Sequence, residues 1–161
     1  FKKNVYDNKF KDNIHTYNCA ISDQEKVSSL HADWLQSDFT SLSAIRDSKD
    51  TQTFKILTTP LKNKIFDVDV DIYKIDVEGA ELLVLQGCAP NILASRQRKH
   101  TPKLFIEANR WALSAFKKDP KNLYEEIQNL GFTSLKKICE KTQCLLPINV
   151  DKAQCENWLC Q

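Results

Sequence analysis

The sequence predicts an α/β fold built on a mostly parallel sheet. Short apolar runs alternate with helical patterns along most of the 161 residues, which is how strand–helix–strand units read in sequence. The run DIYKID, Asp71 to Asp76, passes through one glycine, Gly79, straight into the helical pattern AELLVLQ. A second strong strand, KLFIEA, follows at Lys103 to Ala108, and Asp119-Pro120 then opens another helix. Strand, helix, strand, helix is the order a parallel sheet requires.

Taken in chain order, Phe1 to Phe10 reads as a helix tail with Phe1 and Val5 on one face, and Ile14 to Ile21 as a strand. Residues 31 to 50 are polar and predict a surface excursion with a short helix around Leu42 to Arg46. Thr53 to Leu57 is a weaker strand, and Leu61 to Phe66 a short helix. The helix from Ala80 is expected to stop at Gly87, since glycine suits the left-handed position past a helix end. Pro90 then fits the first turn of a second short helix, through Ser95. Asp119 caps the late helix, Leu123, Ile127 and Leu130 form its apolar stripe, and Gly131 ends it. Phe132 to Ile138 and Glu156 to Cys160 are the final strands.

Charge and composition exclude several functions. With 23 basic and 21 acidic residues the net charge is +2, too small to argue for nucleic acid or an anionic membrane. The one dense basic run, Arg96, Arg98, Lys99 and His100, reads as a solvated helix end or loop, with phosphate binding as the alternative. No stretch of about 18 apolar residues is present to span a bilayer, and no signal-peptide pattern opens the chain. The absence of Met, with Phe1 first, reads as a fragment. Eleven asparagines include no N-x-[ST] acceptor, which favours a cytoplasmic location. The last four cysteines, Cys139, Cys144, Cys155 and Cys160, are spaced C-x4-C-x10-C-x4-C. Buried free thiols, disulfides and a zinc site all fit that spacing, and disulfides would point instead to a secretory lumen. The three histidines are scattered and make poor metal ligands, so no metal is expected.

The chemistry concentrates in DIYKIDVEGAELLVLQG, Asp71 to Gly87. Ligands of parallel sheets sit beyond the carboxyl ends of strands, which puts Asp76 and Glu78 at the functional edge. Three carboxylates within six positions repel one another, so either something compensates or the site uses the charge. Asp76 could instead cap the turn. Glu81 lies where a helix dipole favours an anion and reads as a helix-start stabiliser. Glu107, near the end of KLFIEA, repeats the pattern, followed by Asn109 and Trp111. If the two strands are neighbours, about 4.8 Å apart, Asp76, Glu78, Glu107 and Asn109 share one cleft. Trp111 either walls a substrate pocket or is a core or rim aromatic. Lys74, in mid-strand, either is buried against Asp76 or Glu107 or carries its amine into solvent.

The segment KIDVEGAELLVLQG resembles the signature of FkbM-type S-adenosylmethionine-dependent methyltransferases. FKKNVYDNKFKDNIHTYNCAISD resembles that family's helix, loop and third strand, QTFKILTTPL the strand before the signature, and KLFIEANRW the strand after it. EEIQNLGF and NWLCQ are looser matches to the late helix and last strand. The resemblance implies a Rossmann-like class I methyltransferase sheet that lacks its first two strands, with residues 1–161 forming the later two-thirds of a single methyltransferase domain. It implies S-adenosyl-L-methionine as cofactor, with Ala20 and Asp23 on the adenine side. It also implies a small-molecule acceptor, the hydroxyl of a sugar or natural product, with Asp76, Glu78 and Glu107 catalytic and Asn109 and Trp111 on the substrate. Family members hold the methionine moiety over a glycine-rich loop. Here Gly79, Gly87 and Gly131 are all isolated, so this chain alone is expected to be inactive. That gap leaves two other readings: a degenerate, non-catalytic α/β binding domain, and an α/β enzyme that uses its carboxylates on a sugar or a metal.

Overall fold

A computed structural model describes residues 2–10, 12–33, 40–42, 51–139 and 141–161. Helix α1 (Lys2–Asp7) precedes β1 (Ala20–Ile21), β2 (Lys26–Asp33), β3 (Thr40–Ser41) and β4 (Thr51–Thr59). Next come β5 (Ile72–Ile75), α2 (Glu81–Gln97), β6 (Lys103–Asn109), α3 (Arg110–Ser114) and α4 (Pro120–Asn129). Strands β7 (Leu135–Cys139), β8 (Cys144–Pro147) and β9 (Cys155–Cys160) complete the chain.

The α/β class holds, but the expectation of a mostly parallel sheet does not. The strands form two mixed sheets, ordered β1-β4-β2-β3 and β5-β6-β9-β7-β8. Only β1–β4 and β5–β6 pair in parallel among the described residues. The cause is connection length. A parallel pair needs a crossover, and β5 and β6 have one in α2. The turn from β7 to β8 holds no helix, so β8 must fold back antiparallel. The closing strand β9 inserts antiparallel between β6 and β7, which leaves β5, β6 and β7 pointing the same way.

Strand β2, whose sequence KVSSLHAD carries no apolar alternation, runs into the start of the polar excursion. Its register with β4 runs from Lys26↔Thr58 to Asp33↔Thr51, so backbone pairing rather than burial holds it. The helix expected around Leu42 to Arg46 falls largely outside the described residues. The strand expected over Ile14 to Ile21 is reduced to Ala20–Ile21, and the helix expected over Leu61 to Phe66 is a single 3-10 turn at Leu61–Asn63. Strand β8 and helix α3 were not legible in the sequence.

Helix α2 is the larger correction. It runs unbroken through both Gly87 and Pro90. Gly87 does not end it; it lets β1 approach. A Cβ there would stand 2.3 Å from the Ser22 carbonyl oxygen and 3.2 Å from Ile21 Cγ2. In an open helix Gly→Ala gains about 1 kcal/mol. Here the clash with backbone reverses the sign, and Gly87→Ala is expected to destabilise the protein by about 1–3 kcal/mol. Urea unfolding measures it.

The core lies on the second sheet. Leu104, Ile106, Trp158 and Cys160 on its strands pack with Leu85 and Ile92 of α2 and with Leu123 and Ile127 of α4. Helix α4 begins as the sequence predicts: Asp119 accepts from the Asn122 backbone N–H, and the Asn122 side chain accepts from the Asp119 N–H. The basic run is a helix end, and three of its four side chains are engaged while Lys99 is exposed. Arg98 binds Asp69 at 2.6 Å and Asp67 at 3.2 Å, His100 lies 3.3 Å from Asp71, and Arg96 stacks over the Phe132 ring. These contacts hold the segment that feeds β5. No helix among the described residues is long and apolar enough to cross a membrane.

Candidate functional site

Strand β5 is an edge strand, paired only with β6 among the described residues. Tyr73 and Ile75 enter the core, while Lys74 projects into solvent. Of the two positions open to Lys74 in the sequence, the structure has the exposed one. Its ammonium reaches Asp76 Oδ2 at 2.7 Å.

Beyond Ile75 the chain turns sharply into α2. Glu78 has φ +52° and Gly79 φ +99°, two successive left-handed residues. For Glu78 that conformation costs about 1–2 kcal/mol. Two side chains hold it in place. Glu81 Oε1 accepts from the backbone N–H groups of Val77 and Gly79, both at 3.1 Å. Ser41, buried in the other sheet, donates its hydroxyl to the Glu78 carbonyl at 2.8 Å. Glu81 is thus more than a helix-start anion. It is fully buried, and its Oε2 has no partner among the described residues. Burial raises its pKa above the ordinary carboxylate value, against the backbone N–H groups that favour the anion, and Glu107 adds to the rise. The spacing E-G-A-E could have suggested this role. Ser41 carries no local signal, because its partner lies far along the chain in the turn between β5 and α2.

Register sets the second wall. Ile75 pairs with Ile106, which places Glu107 one residue further on, level with Asp76. Carboxylate oxygens of Asp76, Glu78 and Glu107 all lie within 4.8 Å of one another. Three carboxylates so close can share a proton or chelate a hard divalent cation. The Cys155 thiol, on β9, donates to Glu107 Oε1 at 3.4 Å, and burial together with the Glu107 charge pushes that thiol up to about 11. The other Glu107 oxygen is buried without a partner among the described residues. Arg110 fixes this side by donating to the carbonyls of Ala153 at 2.8 Å and Val150 at 2.7 Å, just ahead of β9.

Asp76 also faces a cleft of about 390 Å³ between the facing edges of β1 and β5. Cys19, Ala20, Ile21, Val77, Ala80 and Val84 are among its walls. Ala20 therefore shares a cavity with Asp76. Asp23 lies beyond β1, where its carboxylate accepts from the Ser22 hydroxyl and the Gln24 amide, each at 3.0 Å. Asn109 Oδ1 caps α3, accepting from Ala112 N at 3.2 Å. Trp111, in the first turn of α3, is half exposed. Of the final four cysteines only Cys160 is buried; Cys139 is half-buried and Cys144 and Cys155 are exposed, and no disulfide joins the cysteines.

The fold is similar to that of a known structure. A crystal structure of methyltransferase FkbM from Methylobacillus flagellatus KT superposes with a TM-score of 0.53 at 17% identity, over 98% of this chain and 31% of that one. The chain thus spans about a third of that protein's length. No curated protein sequence matches it. The sequence pattern of the methyltransferase FkbM domain covers residues 2–134, most of the chain, and the protein therefore belongs to the FkbM methyltransferase domain family.

Proposed function

We propose that this chain is the later two-thirds of an S-adenosyl-L-methionine-dependent methyltransferase domain that methylates the hydroxyl of a small molecule, a sugar or natural product. The observation that carries this reading is the set of three carboxylates at the ends of β5 and β6, one of which, Asp76, also lines the cleft between β1 and β5. The cleft suits one wall of a cofactor site: Ala20, Ile21, Val77, Ala80 and Val84 offer an apolar surface, and Asp76 an acid at its edge. Edges of β1 and β5 with no partner among the described residues leave room for further strands, which would bring the glycine-rich loop.

S-adenosyl-L-methionine, when bound, supplies a methyl group activated by a positive sulfur. This chain's residues position the acceptor and manage its proton. Asp76 or Glu78 takes the hydroxyl proton, and Glu107 orients the acceptor or the cofactor's amino group. Asp23 meets the adenine side. Asn109 and Trp111 border the acceptor. No role falls to nucleic acid or membrane.

Calorimetry with S-adenosylhomocysteine is the direct test. Residues 1–161 alone should give no binding, and an N-terminally extended chain should bind. Tight binding by the 161-residue chain would overturn the incomplete-site reading. In the extended chain, Asp76→Asn should lower turnover about 10²–10⁴-fold with folding retained. Normal turnover per folded molecule would remove Asp76 from the role of base.

A further inference from the structure

Cys139 and Cys144 are directly opposed across the β7–β8 ladder, as the last pair before the turn. Opposed residues of an antiparallel pair have Cα atoms about 4.5–5.5 Å apart and side chains on one face, inside the about 4.4–6.8 Å span that a disulfide requires. Cys144 Sγ donates to the Thr142 carbonyl, in the turn that joins the two strands, at 3.3 Å.

We propose that Cys139 and Cys144 form a dithiol site that reacts with a low-molecular-weight disulfide and closes to a bridge across the hairpin. The cysteines differ in reactivity. Burial pushes the Cys88 and Cys160 thiols up to about 12, and Cys155 is held up to about 11 beside Glu107, so all three are poor nucleophiles at neutral pH. Cys139 goes the other way. Hydrogen bonds from Thr142 and the nearby Lys137 charge hold it below the ordinary thiol value. Cys139 is the attacking thiolate, and the exposed Cys144 is the resolving partner.

The exchange balances. The Cys139 thiolate attacks one sulfur of the small disulfide, forms a mixed disulfide and releases one small thiolate. Cys144 gives its proton to solvent and attacks the Cys139 sulfur, expelling the second small thiolate. Two protein thiols are oxidised by two electrons, and one disulfide is reduced to two thiols. The bridge ties down β8, an exposed edge strand paired only to β7 among the described residues. It also bears on the candidate site, because Ile138, next to Cys139, lines the same surface depression as Lys74 and Asp76.

The test treats the whole chain with oxidised glutathione, alkylates the remaining thiols and digests with trypsin. Lys141 lies between the two cysteines, so cleavage there leaves peptides 138–141 and 142–152 joined only by the bridge. The expected result is that linked pair, reversed by dithiothreitol. Cys144→Ser should trap glutathione on Cys139, and Cys139→Ser should abolish fast reaction at Cys144. Both thiols fully alkylated after glutathione treatment, or Cys139 linked to Cys155 instead, would overturn the proposal. Stoichiometric zinc that survives dialysis and protects both thiols would also overturn it, in favour of a soft-metal site.

Discussion

Gly79→Ala is expected to destabilise the protein by about 3 kcal/mol or more, the sum of left-handed strain and a backbone clash. At φ +99° an added Cβ would stand 2.3 Å from the Ala112 carbonyl oxygen and 3.2 Å from Phe116 Cε2. Neither the turn nor α3 can retreat easily. The turn is held by Glu81 and Ser41, and α3 is capped by Asn109. Gly131→Ala is the informative control. It too has positive φ, +86°, but its nearest neighbour is the flexible Arg96 side chain at 3.4 Å. Only the conformational cost, about 1–2 kcal/mol, should appear there. Equilibrium urea unfolding of both variants decides it. Equal losses would mean that the Ala112 contact yields and that the turn is softer than its hydrogen bonds indicate.

Glu81 should produce the second large effect, and one that depends on pH. Glu81→Ala leaves the N–H groups of Val77 and Gly79 without their acceptor, at about 1–3 kcal/mol each. Glu81→Gln keeps a carbonyl oxygen in that place and should cost much less. The sign of the pH dependence follows from linkage. Burial raises the folded-state pKa above the unfolded one. Its contribution to stability is therefore present in full below the ordinary carboxylate pKa and is lost as pH rises through the raised value. Glutamine does not titrate. The unfolding free energy of Glu81→Gln relative to the native protein should therefore improve as pH rises through that window. Parallel stability–pH curves for the two proteins would show that Glu81 is ionised in the folded state at its ordinary pKa.

The same turn shows how far the candidate site was legible in sequence. DVEGAE announced a strand end rich in acid and a glycine-dependent entry into a helix. KLFIEA announced a second acid at a matching position. Both signals are local, and the β5–β6 register brings the two acids level. Ser41 belongs to another sheet, and no spacing rule connects it to Glu78. The place of Asn109 just after Glu107 suggests a role at the acceptor, but nothing local suggests that its side-chain oxygen also caps α3, a helix of only five residues with too little pattern to read.

By itself the sequence determined the α/β class, the positions of β5, β6 and α4, the acidic strand ends and the family signature. Each of these depends on local pattern: apolar runs, a capping pair, a glycine between acids. Tertiary structure alone decided the rest. Gly87 sits within a continuous helix because Ser22 approaches it, a contact no helix-end rule can foresee. The second sheet is mixed because β9 inserts antiparallel between β6 and β7 from the far end of the chain. Strand β2 exists through backbone pairing with β4, although its side chains carry no alternation. Local pattern reports what a segment buries; pairing partners, strand direction and close backbone approach are settled only when distant segments compete for the same edge.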